Sequence, residues 1–384
     1  MPETVQPTVQ VRVLESARSL DGGRWDTLAG TANPFLSHAF MTALEDSGAA
    51  AAAVGWRPFH LLAEDETGQA LALMPAYLKS HSYGEYVFDH GWAAAYERAG
   101  GRYYPKLQSC VPFTPVTGPR LLAASPAAAT ALVVAAKTLV ERHGLSGLHV
   151  TFPEQAELPI YRAQGLLIRT DQQFHWRNAG YRDFADFLDA LSSRKRKTLR
   201  RERQAVQQAG IAIAVLTGGD LTEAAWDSFF AFYMDTASRK WGRPYLNRRF
   251  FSLLGERLGK RVVLMLAMRG GRAIAGALNL LGDDTLYGRY WGALEYHPFL
   301  HFELCYYQAI DYALAHGLSR VEAGAQGEHK LARGYQPVKT YSAHWLRDPR
   351  FQAAVARFLE AERREVDAAI DYLGTTMPFK KPGR

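Results

Sequence analysis

Apolar and polar positions along the chain fall into two copies of one pattern. Residues 59–92 (FHLLAEDETGQALALMPAYLKSHSYGEYVFDHGW) read as strand, turn, strand, turn, strand, with Gly68 and Gly84 at the turns. Residues 262–292 (VVLMLAMRGGRAIAGALNLLGDDTLYGRYWG) read the same way, with Gly270–Gly271 and Asp283–Asp284 at the turns. A helix-periodic apolar stretch follows each meander: ALVVAAKTLVERH in the first copy, LCYYQAIDYALAH in the second. Both stretches run into the same tetrapeptide, HGLS, at His143–Ser146 and His316–Ser319. Ser125 and Pro126 supply an N-cap and a first-turn proline for the first helix. Gly144 and Gly317 fit the left-handed residue that ends a helix. Short strands are expected next, at 148–152 and 320–324.

The two copies differ in length. The meanders, matched at Tyr86 and Tyr287, lie about 201 residues apart and the HGLS copies about 173, so the first copy carries roughly 28 extra residues. We place them near 93–120, a stretch rich in Gly, Pro and Tyr without periodicity. A loop of that length is a lid, a binding loop or a surface excursion. Between the copies, 183–210 predicts one or two helices ending at Gly210. After Asp348–Pro349, the spacing of Phe351, Val355, Phe358, Leu359, Val366, Ile370 and Leu373 predicts a packing helix. The expected division is an N-terminal lobe 1–175, a C-terminal lobe 176–347, and a helix with tail at 348–384. The class is α/β (α+β), each lobe a mixed sheet flanked by helices.

Composition changes this picture little. The chain has 384 residues, 48% hydrophobic and 22% charged, the balance of a globular protein. It holds no run of apolar residues long enough to span a bilayer, and the first residues lack a secretory pattern. Cys110 and Cys305 are the only cysteines, too few for a disulfide framework or a structural zinc site. A reducing cytoplasm is the expected compartment, and no metal is expected.

Charge changes it more. Residues 194–203 (RKRKTLRRER) hold seven basic residues and one acid, so nearly all of the net charge of +7 sits in one element. On a helix, Arg196, Arg200 and Arg203 share a face, with Lys197 and Arg201 flanking it. A solvated face is the ordinary reading of a charge run. This concentration favours phosphate: a tRNA acceptor stem, a lipid-linked pyrophosphate or CoA.

The second candidate is EAGAQGEHKLARGY (322–335), a glycine-rich polar loop expected just past a strand. Glu328 or His329 could take a proton from an attacking ammonium. Lys330 or Arg333 could hold a carboxylate or phosphate or steady an oxyanion, and Gln326 is a further polar candidate for binding. His301 and Glu303 open the helix after the second meander, where a donor group would lie. Cys110 has no neighbouring base in sequence and is not read as a nucleophile.

A meander followed by helix and strand resembles the core of the GNAT acyltransferases. Two such units, with a basic helix leading into the second, resemble the FemAB-like group and its predicted N-acyltransferases, or "peptidoglycan biosynthesis/recognition" proteins. The resemblance is carried by NPFLSHAFMTALEDSG (33–48), the stretch from Tyr86 to Trp92, KLQSCVPFTPVTGPRLL (106–122), QFHWRNAGYRDFADFLDALSSRKRKTLRRER (173–203) and EAGAQGEHKLARGYQP (322–337). It implies tandem GNAT-like lobes and transfer of an acyl or aminoacyl group to an amine. The donor it implies is a co-substrate, aminoacyl-tRNA or acyl-CoA, rather than a built-in cofactor. Partners would be tRNA or another phosphate-bearing donor and an amine acceptor such as a peptidoglycan precursor peptide. GNAT enzymes hold the CoA pyrophosphate on a glycine-rich loop at a helix N-terminus. Here that loop, ALEYHPFLHFELCYY (293–307), has no glycine, which argues against acetyl-CoA. An acetyl-CoA-dependent enzyme, an acyltransferase docking an acidic carrier protein on the basic helix, and a non-catalytic module binding nucleic acid or cell-wall precursor remain as alternatives.

Overall fold

In the computed structural model, residues 9–240, 244–324 and 327–380 are described. The chain forms two compact units. One comprises residues through Asp171 with Thr340–Val366, and the other Gln172–Lys339 with Asp367 onward. Residues 348–384 are thus divided between the two units.

The first unit contains β1 (Gln10–Leu14), β2 (Trp56–Pro58), β3 (His60–Glu64), β4 (Ala70–Met74), β5 (Tyr77–Lys79), β6 (Lys106–Ser109), β7 (Leu122–Ala123), β8 (Gly147–Thr151) and the start of β9 (Leu167–Arg177). The second contains the end of β9, β10 (Ala212–Leu216), β11 (Val262–Arg269), β12 (Arg272–Leu281), β13 (Thr285–Ala293), β14 (Arg320–Glu322) and the start of β15 (Gln336–Leu346). The end of β15 returns to the first unit, pairing Ser342–Leu346 with β8.

In the first unit, β1-β3-β4-β7 form one sheet, and β15, β8, β6, β5 and β2 lie in that order in another. Helix Pro126–Arg142 packs on the apolar strand faces. Ala129, Leu132, Val133, Ala136 and Val140, spaced by three and four, share a core with Leu61, Ala72, Met74, Leu107, Leu148 and Val150. Its start is as expected: the Ser125 hydroxyl accepts from Ala128 N at 3.2 Å and Pro126 stands in the first turn.

In the second unit the order is β10-β11-β12-β13-β14-β9. All neighbours are antiparallel except β13 and β14. Helix Glu223–Lys240 lies so close that a Cβ on Gly292 would meet Phe232 O at 2.0 Å. On a second side, Leu304, Tyr307, Ala309, Ile310 and Ala313 join Phe187, Leu199 and Val206 in the core. The inter-lobe segment forms two helices, Phe184–Ala190 and Ser193–Gln208, and the C-terminal helix spans Pro349–Thr375.

The repeat holds, with one correction. The HGLS copies match, with Gly144 at φ 63° and Gly317 at φ 66°, each followed by a strand. Those strands pair in parallel with the last meander strand: Leu107↔Leu148 in one unit and Leu286↔Val321 in the other. The third strand of the first meander is therefore β6, inside the stretch read as an insertion. The extra residues lie earlier, between β5 and β6, and include helix His90–Arg98. Tyr86 does not match Tyr287. The aromatic segment from Tyr86 to Trp92 looks strand-like by composition, but Gly84 and Tyr86 both take positive φ (81° and 59°), which breaks an extended run.

Candidate active site

Two parallel strands of unequal length meet in the second unit. β13 and β14 pair from Thr285↔Arg320 to Tyr287↔Glu322. β14 then stops, while β13 runs on to Ala293 beside β12. Ligands of α/β sheets bind beyond the carboxyl ends of such strands. Glu322, Arg289 and His175 meet here, each almost wholly buried. Glu322 lies 3.7 Å from Arg289, 3.8 Å from His175 and 3.6 Å from Arg320. Burial pushes the His175 imidazole down to about 4, against the pull of Glu322, so it is neutral.

Further along the chain after β14 comes the short turn Glu328–Arg333. Gln326 lies outside the described residues, as does the side chain of Glu328. Lys330 is buried, and its Nζ donates to Gly324 O at 2.8 Å. Desolvation lowers its pKa to about 7, so a good part of the amine is uncharged near neutrality. His329 is exposed, and its Nε2 meets the Tyr306 hydroxyl at 2.8 Å. Of the residues proposed from the sequence, His329, Lys330 and Arg333 lie together in this one turn. The two neighbours differ in exposure: Lys330 is buried, while His329 is exposed with its ring against Phe302 and Tyr306.

Arg333 is no free anion binder. Its Nη2 donates to Glu202 at 2.8 and 3.1 Å, its Nη1 to His329 O at 2.8 Å and its Nε to Tyr307 OH at 3.1 Å. Its guanidinium also lies 3.4 Å from the Phe302 ring centroid. Glu303 is likewise occupied. It accepts from Arg203 at 3.0 Å and Gln308 at 2.7 Å, and burial pushes its pKa up. Glu303 opens a π-helical turn, Glu303–Tyr307, entered from the short helix Leu300–Phe302. Phe299 before it takes φ 68°, although it is not glycine. The glycine-free loop thus makes its bend with a phenylalanine and its register change with a π turn, a feature frequent at functional sites. His301 faces a cleft of about 750 Å³ that Trp291, Phe299, Phe302, Tyr296 and Arg239 also line.

The basic helix is divided by face. Leu199, Glu202 and Val206 are buried. Arg194, Arg196, Lys197, Arg200 and Arg201 line an open groove of about 620 Å³. Arg196 also bonds Asp189 at 2.7 Å. Arg203, expected to join this stripe, instead turns inward to Glu303 and Asp311, the latter at 2.6 Å. Partly buried carboxylates hold it because its desolvation must be matched by charge.

The first unit holds a second polar cluster that sequence reasoning missed. Tyr77, Lys79, Lys106, Gln108, His149 and His344 are all buried. Lys106 bonds Glu85 at 2.7 Å and Asp89 at 2.5 Å. Burial opposes the Lys106 charge, yet Asp89 and Glu85 outweigh it and hold its pKa above the usual range. Burial brings Lys79 down to about 7, and it stands 3.4 Å from the Trp56 ring centroid. Cys110 beside this cluster is pushed up to about 12 by burial, so it is no nucleophile. The only signal in the sequence was strand-alternating lysine and glutamine, read as an aperiodic loop.

A meander, a parallel strand pair and the helix between them occur in both units and define tandem mixed α+β lobes. The chain belongs to the FemAB-like family, described as peptidoglycan biosynthesis/recognition, which its residues 16–381 match. Among solved structures it is similar to FemX, at 11% identity and a TM-score of 0.55, over 87% of this chain and 98% of that one. It is similar also to L-PGS from Bacillus licheniformis, at 11% identity and a TM-score of 0.51, over 86% and 98%. A conserved protein of unknown function from Bacteroides thetaiotaomicron aligns at 10% identity and 0.51, over 87% and 99%. At these identities the likeness is one of fold. No curated protein matches the chain. Among the described residues no helix is long and apolar enough to cross a membrane, and no group of side chains is disposed to hold a metal ion.

Proposed function

We propose that the second unit transfers an acyl or aminoacyl group from an activated ester to an amine, with Lys330 as the proton acceptor. The observation that carries this reading is a buried lysine, its pKa lowered to about 7, in the turn that follows the parallel β13–β14 pair. A general base works best when its pKa lies near the working pH. Neutral Lys330 takes one proton from the acceptor ammonium. The freed amine attacks the acyl carbon, a C–N bond forms, and the C–O or C–S bond to the donor breaks. The leaving oxygen or sulfur takes the proton shed by the new amide nitrogen, and Lys330 returns its own to solvent. The ester is already activated, so the protein's task is positioning and deprotonation.

The donor favoured here is an aminoacyl-tRNA, as the family resemblance implies. The cationic groove at Arg194–Arg201 supports it, since exposed arginines on one helix face suit a phosphate backbone. The aromatic cleft at Trp291 and His301 suits the transferred group. Peptidoglycan precursor as acceptor rests on the family description alone.

The test is transfer from bulk aminoacyl-tRNA to amine acceptors, across pH 5.5–9. Activity should rise with pH through about 7, and Lys330→Met should abolish it. Arg200→Ala/Arg201→Ala should weaken tRNA binding and flatten its salt dependence. Saturable acetyl-CoA binding with no tRNA binding at low salt would reassign the donor. Full transfer by Lys330→Met would remove the base.

A further inference from the structure

The basic helix has two working faces one residue apart, and only the outer one is explained by a phosphate-bearing donor. Glu202 is the sole acid in RKRKTLRRER and sits on the buried seam between Leu199 and Val206. An acid there is costly unless it is paired. Glu202 is paired three ways. Both of its carboxylate oxygens accept from Arg333 Nη2, and Oε2 also accepts from the Tyr307 hydroxyl. These partners come from two other segments of the second unit. Tyr307 ends the π-helical turn, and Arg333 ends the turn that carries Lys330. Arg333 in turn donates to His329 O, directly before Lys330. Tyr335, just beyond, donates its backbone N–H to Lys330 O at 3.2 Å.

We propose that Glu202 is a positioning residue for the reaction: through Arg333 it fixes the 327–335 turn, and so the direction of Lys330, without taking part in donor binding. The proposal rests on the reading of Lys330 given above for its kinetic half alone. Two neighbours in the sequence should then have opposite signatures. Arg201 faces the groove and should set donor affinity. Glu202 faces inward and should set turnover. Nothing in residue type or spacing separates the two, because the difference lies in what the helix packs against.

Glu202→Gln tests this with little change of shape. It keeps an acceptor for one bond but removes the charge that holds Arg333 and Tyr307 together. Amide hydrogen exchange reads positioning whatever the reaction is. Residues 327–335 should exchange about tenfold faster in Glu202→Gln, and less so in Tyr307→Phe, while the strands β11–β13 keep their protection. Kinetically, Glu202→Gln should lower kcat by about tenfold or more with donor KM within about twofold. Arg201→Ala should raise donor KM and leave kcat. Glu202→Asp should recover part of the lost turnover. Unchanged exchange at 327–335 in both variants overturns the proposal. So does a Glu202→Gln effect confined to donor KM. If the wild-type protein transfers nothing from aminoacyl-tRNA, the function proposed above fails, and the exchange result still decides the role of Glu202.

Discussion

Replacing Lys330 with methionine should stabilise the protein, by an amount that depends on pH in a defined way. Burial lowers the lysine pKa from 10.5 to about 7. One pKa unit corresponds to about 1.4 kcal/mol, so forcing the charged amine into the fold costs up to about 5 kcal/mol. The sign follows from proton counts. Between pH 7 and 10.5 the unfolded chain holds a proton on this lysine that the folded chain lacks, so stability rises with pH across that window. Below pH 7 both states are protonated and the full penalty stands. Above 10.5 neither is, and the penalty is gone. Methionine has similar length, adapts to irregular space and never titrates. It forfeits the bond to Gly324 O, worth about 1 kcal/mol. The gain from Lys330→Met should therefore be about 4 kcal/mol at pH 6 and should shrink by about 4 kcal/mol by pH 10. Urea unfolding of both proteins at pH 6, 8 and 10 measures it. Buried Lys79 titrates in both proteins and cancels in the difference. A gain that is the same at all three pH values would refute the reasoning, because Lys330 would then carry the same charge folded and unfolded.

Other substitutions probe the frame around the site. Gly292→Ala drives a methyl into the backbone of Phe232, where neither partner can yield, and should cost about 3 kcal/mol or more in thermal or urea unfolding. Arg203→Ala leaves buried Glu303 beside Asp311 without their shared cation and should cost about 3 kcal/mol, part of which Glu303→Gln should restore. Ser125→Ala removes the cap of helix Pro126–Arg142 and should cost about 1 kcal/mol. Cys110, fully buried with its thiol pushed up to about 12, should resist iodoacetamide at pH 8 in the folded protein and react once it is unfolded.

The legible parts of the site were those with local causes. HGLS marked two helix ends because a left-handed glycine is required there whatever surrounds it. The loop at 322–335 stood out because a polar, glycine-rich segment past a strand is legible from composition. The error at Tyr86 had the opposite cause. Its aromatic neighbours suit a strand, and the positive φ at Gly84 and Tyr86 excludes one; at Gly84 Phe113 and Trp56 also leave no room for a side chain.

The sequence by itself determined the duplicated pattern, the helix ends at the two HGLS copies, the concentration of positive charge and the identity of the polar turn. Tertiary structure alone decided which of those charges are free. Arg203, Arg333 and Glu303 look like binding residues in the chain, yet each is consumed by a partner distant in sequence. Glu202 looks like an ordinary surface charge, yet it is buried, and Lys330, a candidate in the chain, becomes a buried amine only in the fold. A charge acquires its function from its desolvation and its partners, and neither exists until distant segments meet.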